Sequence, residues 1–196
     1  SDVCSSDLTA FFGQGRYKED VLVEWLRDRL REGRQAGRVN ILLSADHPYD
    51  YGEKKLSKLL DKDLKDLALR DKLVDLWFWG NTHYCALYDH KSAASGEIPA
   101  LPFIGSCIGH GGYPYDTVRR GKFEPAPIIF LEENARFPQT TNLRSDKGNN
   151  GYCTLQLHAD GSVGLRYVDW MSSPRFAARL TREQAGAPLH VVSVSI

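Results

Sequence analysis

The alternation of apolar and polar residues predicts two helices and two strands in the first part of the chain. Apolar residues recur at helical spacing over residues 18–33 and again over residues 54–70. An apolar run follows each of these segments, at residues 38–44 and 74–79, and such runs are typical of buried strands. The order strand, helix, strand predicts a βαβ unit with parallel strands. The apolar helix faces are Val21, Leu22, Trp25, Leu26 and Leu30, and Leu56, Leu59, Leu60, Leu64 and Leu67.

Short strands separated by turns are predicted for the remainder of the chain. The dipeptide Asp160-Gly161 predicts a two-residue hairpin turn, because these residues tolerate the positive φ angles that such a turn needs. This part is therefore expected to be mainly antiparallel. The whole pattern predicts a single domain of mixed α/β (α+β) class. The predicted strands are residues 84–89, 102–108, 128–132, 151–157 and 163–168.

The charge composition argues against a nucleic-acid or membrane partner. The chain has 196 residues, with 25 Lys and Arg against 25 Asp and Glu, so its formal net charge is zero. Without a net positive charge, a general attraction to nucleic acid or to an anionic membrane is not expected. No apolar run in the sequence approaches the roughly 18 residues that a membrane helix requires.

The four cysteines predict a reducing compartment. Cys4, Cys85, Cys107 and Cys153 are widely spaced and fit neither a disulfide framework nor a zinc motif. The last three fall in predicted strands, where a small buried thiol is the common outcome. We therefore predict a cytoplasmic protein.

The first eight residues differ in character from the rest of the chain. They show no apolar periodicity, and residues 2–8, Asp-Val-Cys-Ser-Ser-Asp-Leu, resemble a translated sequencing-library adapter. One interpretation is that residues 1–8 are an artefact, that natural sequence begins near Thr9, and that residues 9–196 are the C-terminal part of a longer protein. The alternative is an ordinary disordered N-terminus.

Polar side chains follow both predicted parallel strands. The first strand leads to Asp46 and His47, and the second leads to Asn81 and His83. Ligands of open α/β sheets bind beyond the carboxyl ends of the strands, and carboxylate and imidazole groups are competent ligands for Mn, Fe or Zn. A single histidine after a strand is more commonly a hydrogen-bonded loop residue, so a metal site depends on further motifs.

Two of these segments resemble metal-binding motifs of the calcineurin-like metallophosphoesterases. Gly80-Asn81-Thr82-His83 resembles the last motif of that family, Gly-His-x-His, with Asn81 in place of the first histidine. Residues 41–50 resemble the family strand that ends in Ser-His-His-x-Pro, although Ala45 stands at the ligand position and His47 lies two residues later. The resemblance implies that His83 and Asn81 bind metal and that Asp46 or His47 serves as a substitute ligand.

A glycine-rich loop extends the resemblance. Residues 104–115 are similar to the strand and glycine-rich loop beside the family's active site. His110 and Asp46 are the candidate catalytic residues, and the imidazole of His110 could reach the substrate or a proton. The alternative for His110 is a loop histidine that satisfies backbone carbonyls. The implied substrate-binding residues are Gly111, Gly112 and Tyr113.

The resemblance covers residues 21–169, including a hairpin over residues 151–169 that is similar to the closing hairpin of such domains. It implies a sandwich of two mixed sheets flanked by helices, two divalent metal ions (Mn, Fe or Zn) and a small phosphorylated substrate. Two metals about 3.5–4 Å apart activate a water that hydrolyses the phosphate ester. The family's Asp-x-His, Gly-Asp and Gly-Asn-His-Asp/Glu motifs are not in this sequence. The resemblance therefore implies that the N-terminal half of the fold is missing and that the fragment alone is inactive.

Three functional hypotheses remain open. The first is the C-terminal part of a metal-dependent phosphoesterase. The second is a non-catalytic binding or regulatory module that kept the fold and lost one metal site, as Ala45 and Asn81 suggest. The third is an unrelated α/β protein, in which His83 would lie far from the loop of residues 44–47. The sequence predicts neither a specific substrate nor an oligomeric state.

Overall fold

The computed structural model describes residues 20–94, 97–111, 115–119, 121, 124–134, 147–184 and 186–195. The strands form a five-stranded sheet of order β1-β2-β4-β3-β5 and a four-stranded sheet of order β6-β7-β8-β9. The elements in chain order are helix α1 (Asp20–Gln35), β1 (Ile41–Ser44), two π-helical segments (Leu59–Asp63 and Asp66–Arg70), β2 (Leu76–Trp79), β3 (Cys85–Tyr88), β4 (Ile104–Ile108), β5 (Ile128–Leu131), β6 (Gly151–Leu157), β7 (Val163–Asp169), β8 (Pro174–Thr181) and β9 (His190–Ser195).

Helix α1 confirms the first predicted helix: Asp20, the first described residue, is already helical, and the helix ends two residues later than predicted. The helix passes the predicted stop at Gly33 and continues to Gln35. Gly37 then adopts a positive φ of 70°, and its N–H donates to the Arg34 carbonyl, which closes the helix end. Three residues of the predicted apolar face, Leu22, Leu26 and Leu30, pack against the core. Val21 and Trp25, which were also predicted for this face, are exposed.

The second predicted helix, over residues 54–70, is not a continuous α-helix. Two five-residue π-helical segments replace it, and in the first of them the Leu64 N–H donates to the Leu59 carbonyl at 2.9 Å. A π turn is wider than an α turn, so adjacent residues can both face the core. The prediction rested on the 3.6-residue period of an α-helix, which does not describe such a turn. The predicted apolar face is nevertheless buried at Leu59, Leu60, Leu64 and Leu67.

No helix in the described part of the chain is long and apolar enough to span a membrane.

The first sheet brings four strand ends to one edge. β1 and β2 pair in parallel, from Ile41 opposite Leu76 to Ser44 opposite Trp79, which confirms the predicted βαβ pairing. β2 also pairs in parallel with β4, a pairing that the expectation of antiparallel strands missed. β3 is antiparallel to both β4 and β5, so β1, β2, β4 and β5 run in the same direction. We call the edge where these four strands end the carboxyl edge.

The second sheet is an antiparallel meander. A hairpin joins β6 to β7 as predicted, but its turn is not the predicted two-residue turn. Gly161 has a φ of 80° whereas Asp160 does not have a positive φ, and the loop is closed by hydrogen bonds from the His158 N–H to the Ser162 carbonyl and from the Gly161 N–H to the His158 carbonyl. β8 and β9 were not predicted. β8 is rich in alanine and arginine, which favour helices over strands, yet Phe176, Ala178 and Leu180 alternate along it and are buried. Packing against the first sheet therefore determines that this segment forms a strand.

The two sheets pack face to face, and a helical layer covers the other face of the first sheet. In β2, Leu76 and Phe78 belong to the core shared with the second sheet, whereas Trp77 and Trp79 belong to the core shared with α1 and the π-helical segments. All four side chains are buried. The prediction that this run forms a buried strand is confirmed, as is a fold of mixed α/β content with two sheets. Only the first sheet is mixed, however, because all strand pairs of the second sheet are antiparallel, whereas the resemblance implied two mixed sheets.

The cysteines lie where the strand pattern predicted them. Cys85, Cys107 and Cys153 are free thiols in β3, β4 and β6, and the first two are buried. Cys4 lies outside the described residues, as do all of residues 1–8.

Candidate functional site

Three loops meet at the carboxyl edge, and two of them touch through their backbones. The Ala45 carbonyl accepts hydrogen bonds from the N–H groups of Gly80 (3.4 Å) and Asn81 (2.9 Å). This contact follows from the parallel pairing of β1 with β2, because paired parallel strands end side by side. The loops are L1 (residues 45–47, after β1), L2 (residues 80–83, after β2) and L3 (residues 109–111, after β4).

Asp46 and Asn81 join L1 to L2 through their side chains. Asn81 Nδ2 donates to Asp46 Oδ1 at 3.1 Å. The backbone of Asp46 is held from the core, because Trp77 Nε1 donates to Ser44 Oγ (2.7 Å) and Ser44 Oγ donates to the Asp46 carbonyl (2.7 Å). Asp46 is half-buried and Asn81 is exposed. Two of the predicted metal ligands are thus hydrogen-bonded to each other.

The histidines of L1 and L2 differ in exposure. His83 is exposed on L2, whereas His47 is half-buried and its Nδ1 is buried without a hydrogen-bond partner. The two loops are in contact through Ala45 and Asn81. L1 and L2 therefore lie side by side.

His110 lies behind the carboxyl edge rather than on it. The residue is 3% exposed, and its Nε2 stands 3.0 Å from the position that a Cβ on Gly151 would occupy. Its carbonyl accepts hydrogen bonds from the Gly151 N–H (3.1 Å) and from Asn150 Nδ2 (2.9 Å). Burial lowers the pKa of the imidazole, which favours its neutral form. The catalytic role of His110 stays a prediction, and the contacts observed are those of a residue that joins the two sheets.

The predicted substrate-binding residues are described only in part. Gly111 is exposed on L3, whereas Gly112 and Tyr113 lie outside the described residues. Tyr115 is buried, and its hydroxyl donates to the Asn149 carbonyl at 2.7 Å. Tyr115 therefore packs against the segment of Gly148 and Asn149.

A buried ion pair behind the same edge was not predicted. Glu132 follows β5 and is buried, and Arg175 of β8 donates to it from Nε at 2.7 Å and from Nη2 at 3.3 Å. Hydrogen bonding to this carboxylate raises the pKa of Arg175. The pair links the two sheets. One signal was present in the sequence, a glutamate at the end of a buried apolar run, but its partner 43 residues away could not be inferred from spacing.

The side chains at the carboxyl edge do not make up a complete metal site. Within the described residues, no three histidine, cysteine, aspartate or glutamate side chains come together closely enough to hold a metal ion. One carboxylate oxygen of Asp46 already accepts the Asn81 amide. A dinuclear centre needs several anionic or imidazole ligands for each metal, so no catalytic step can be derived through a metal from these residues.

Gly109 is the point where L3 approaches L2. A Cβ at this position would overlap the carbonyl oxygens of Thr82 and Gly80. Gly109→Ala is therefore expected to push the two loops apart and to lower the free energy of unfolding by about 1–3 kcal/mol, measured by urea denaturation. Gly80→Ala is the matched control, because a Cβ there meets no atom within 4 Å. Equal losses of unfolding free energy in the two variants would show that the contact of L3 with L2 does not require a glycine at position 109.

Compared with known families and curated proteins, the chain matches no family model and no curated protein.

Proposed function

We propose that the carboxyl edge is part of the active site of a metal-dependent phosphoesterase of the calcineurin-like type. The observation that carries the proposal is the contact of L1 with L2, in which Asn81 of L2 donates to Asp46 of L1 at 3.1 Å. His83 is exposed on the same loop as Asn81. Ligands of α/β sheets bind at such strand ends. The packing of two sheets under one helical layer also supports a sandwich of the metallophosphoesterase kind.

The contribution of this chain would be metal-ligating side chains that are held in fixed positions. The backbone of Asp46 is anchored through Ser44 to Trp77, and its carboxylate is oriented by Asn81. His83 offers an exposed imidazole two residues beyond Asn81. A bound metal would polarise a phosphate ester and supply a nucleophilic water. The further ligands that such a metal needs would come from outside the described residues, and the substrate would be a small phosphorylated molecule.

The test is metal content and hydrolysis of 4-nitrophenyl phosphate by the protein at its full natural length. We expect bound Mn, Fe or Zn and metal-dependent hydrolysis, and we expect His83→Ala to lower kcat/KM by on the order of 10–100-fold, the size of effect seen when metal-site residues are changed. His90→Ala is the matched control. His90 follows β3, which runs antiparallel to β4, so it lies at the opposite edge of the sheet.

Two results would reject this function. One is a full-length protein without metal or hydrolysis. The other is a loss of activity in His90→Ala equal to that in His83→Ala.

A second candidate is a non-catalytic module with the same fold. The observation that favours it is the Asn81 amide, which donates to Asp46 at the place where the resemblance implies a histidine ligand. An amide nitrogen used in this way closes L1 against L2 and does not bind a cation. Two equivalents of metal together with hydrolysis of 4-nitrophenyl phosphate would reject this candidate.

A further inference from the structure

The outer face of the second sheet carries a groove of about 390 Å³ that is remote from the carboxyl edge. The groove lies over β6, β7 and β8, toward the hairpin at Asp160 and Gly161. The other ends of β6 and β7, at Gly151 and Asp169, are the ends that approach L3. The groove therefore lies on the outer face of the second sheet, away from the ends of β6 and β7 that approach L3.

A glycine in the middle of the sheet forms the floor of this groove. Gly164 of β7 stands between Gln156 of β6 and Arg179 of β8 in the strand register. A Cβ on Gly164 would meet Gln156 Cβ and His158 Nε2 at 3.5 Å each, which is ordinary contact. The absent side chain thus leaves a depression that is rimmed by an amide, an imidazole and a guanidinium group.

A second arginine borders the depression from the next position on the same face. Arg166 stands between Thr154 and Ala177 in the register, two residues beyond Gly164. Alternate residues of a strand face the same side of a sheet, so Arg166 and Gly164 share the outer face while Leu165 between them is buried. Ala177 is short and widens the depression beside Arg166.

The two arginines differ in their partners. Arg179 Nη2 donates to Asp160 Oδ2 (2.9 Å) and to Ser162 Oγ (3.1 Å), so its charge is largely balanced. Arg166 is exposed, and no carboxylate of the described residues forms an ion pair with it. One positive charge is therefore in excess on the rim, next to hydroxyl, amide and imidazole groups that can form hydrogen bonds.

We propose that this groove binds the phosphoryl group of a small phosphorylated molecule, with Arg166 as its main charge partner. A guanidinium group matches a phosphoryl group in charge and in the planar arrangement of its donors. The volume of the groove falls in the range of about 300–1,000 Å³ that is usual for small-molecule sites. The proposal needs no metal and does not rest on the phosphoesterase function, because the groove is separate from L1 and L2.

The test is calorimetric titration of the full chain with phenyl phosphate, in EDTA and at low ionic strength. We expect saturable binding at one site with Kd of about 1 mM or tighter. Arg166→Gln is expected to weaken binding about tenfold, since charge-assisted hydrogen bonds are lost. Gly164→Val fills the depression with a residue that suits a strand, keeps both arginines, and is expected to weaken binding by at least about tenfold.

Arg29→Gln is the matched control, because it removes an exposed arginine from α1 and should leave Kd unchanged. His83→Ala should also bind like the wild type. Thermal unfolding of each variant verifies that it is folded. The proposal is overturned if the wild-type chain shows no saturable binding. It is also overturned if Gly164→Val and Arg166→Gln both bind phenyl phosphate with the same Kd as Arg29→Gln. Binding that His83→Ala abolishes and both groove variants keep would place the ligand at the carboxyl edge and also overturn it.

Discussion

Replacing Asp75 by alanine is expected to lower the free energy of unfolding by about 3–5 kcal/mol. The Asp75 side chain is 1% exposed, and it accepts a hydrogen bond from the Asn40 N–H at 2.8 Å. It also pairs with Arg34 and with Arg182, each at 3.0 Å. The carboxylate therefore connects the end of α1, the residue before β1, the start of β2 and the end of β8.

The size of this effect comes from the charge that is left behind. Without Asp75, the Arg182 guanidinium, whose side chain is 9% exposed, loses its carboxylate partner in a poorly solvated place. Breaking a buried ion pair by removing one member costs more than the intact pair contributes, because the remaining charge is desolvated and unpaired. Urea denaturation of the folded chain measures the loss directly.

Asp66→Ala is the control for Asp75→Ala. Asp66 pairs with Arg70 at 3.0 Å, but its side chain is 53% exposed. Surface pairs of this kind contribute about 0–1 kcal/mol, so the control should be close to the wild type. Similar losses in the two variants would contradict the role assigned to the buried network.

Replacing Trp77 by alanine is expected to lower the free energy of unfolding by about 3–5 kcal/mol. Trp77 is completely buried in β2, and its ring packs against Phe103 with a centroid distance of 5.3 Å. Alanine would leave a cavity between the first sheet and the helical layer, which the closely packed surroundings cannot fill. Trp25→Ala on α1 is the control, since Trp25 is 44% exposed and should cost less than about 1 kcal/mol.

A second substitution at the same position tests the hydrogen bond from the core to L1. Trp77→Phe keeps an aromatic ring but removes part of the indole volume and the Nε1 donor to Ser44 Oγ, so its cost should lie between the roughly 1 kcal/mol of a lost hydrogen bond and the cost of Trp77→Ala. Because Ser44 in turn holds the Asp46 carbonyl, amide hydrogen exchange in L1 should become faster in Trp77→Phe than in the wild type. Unchanged exchange at Asp46 would show that the core does not position this loop.

Much of the first sheet could be predicted because its signals are local. The apolar run before Gly80 determines a buried strand, and the run before Ser44 determines its parallel neighbour. Two neighbouring parallel strands end side by side, so the contact between L1 and L2 was predictable from the pattern. The hydrogen bond from Asn81 to Asp46 at 3.1 Å is the side-chain contact that the structure adds to this adjacency.

The elements that the pattern failed to predict are those in which local preference and packing disagree. A 3.6-residue period over residues 54–70 is read as one α-helix, yet the core accommodates adjacent leucines through π turns. β8 contains helix-favouring alanine and arginine, but the first sheet provides a surface that only an extended strand with alternating Phe176, Ala178 and Leu180 can cover.

The sequence by itself determined that β2 is buried, where the parallel pair β1 and β2 ends, and which polar residues stand at those ends. The tertiary structure alone decided that β4 joins this pair, that His110 turns inward against Gly151, and that Asp75 meets Arg182 across 107 residues of chain. The physical reason is the range of each interaction. Periodicity reports which side of an element faces the core, whereas the partner of a buried polar group is set by how distant elements pack, and spacing along the chain does not record it.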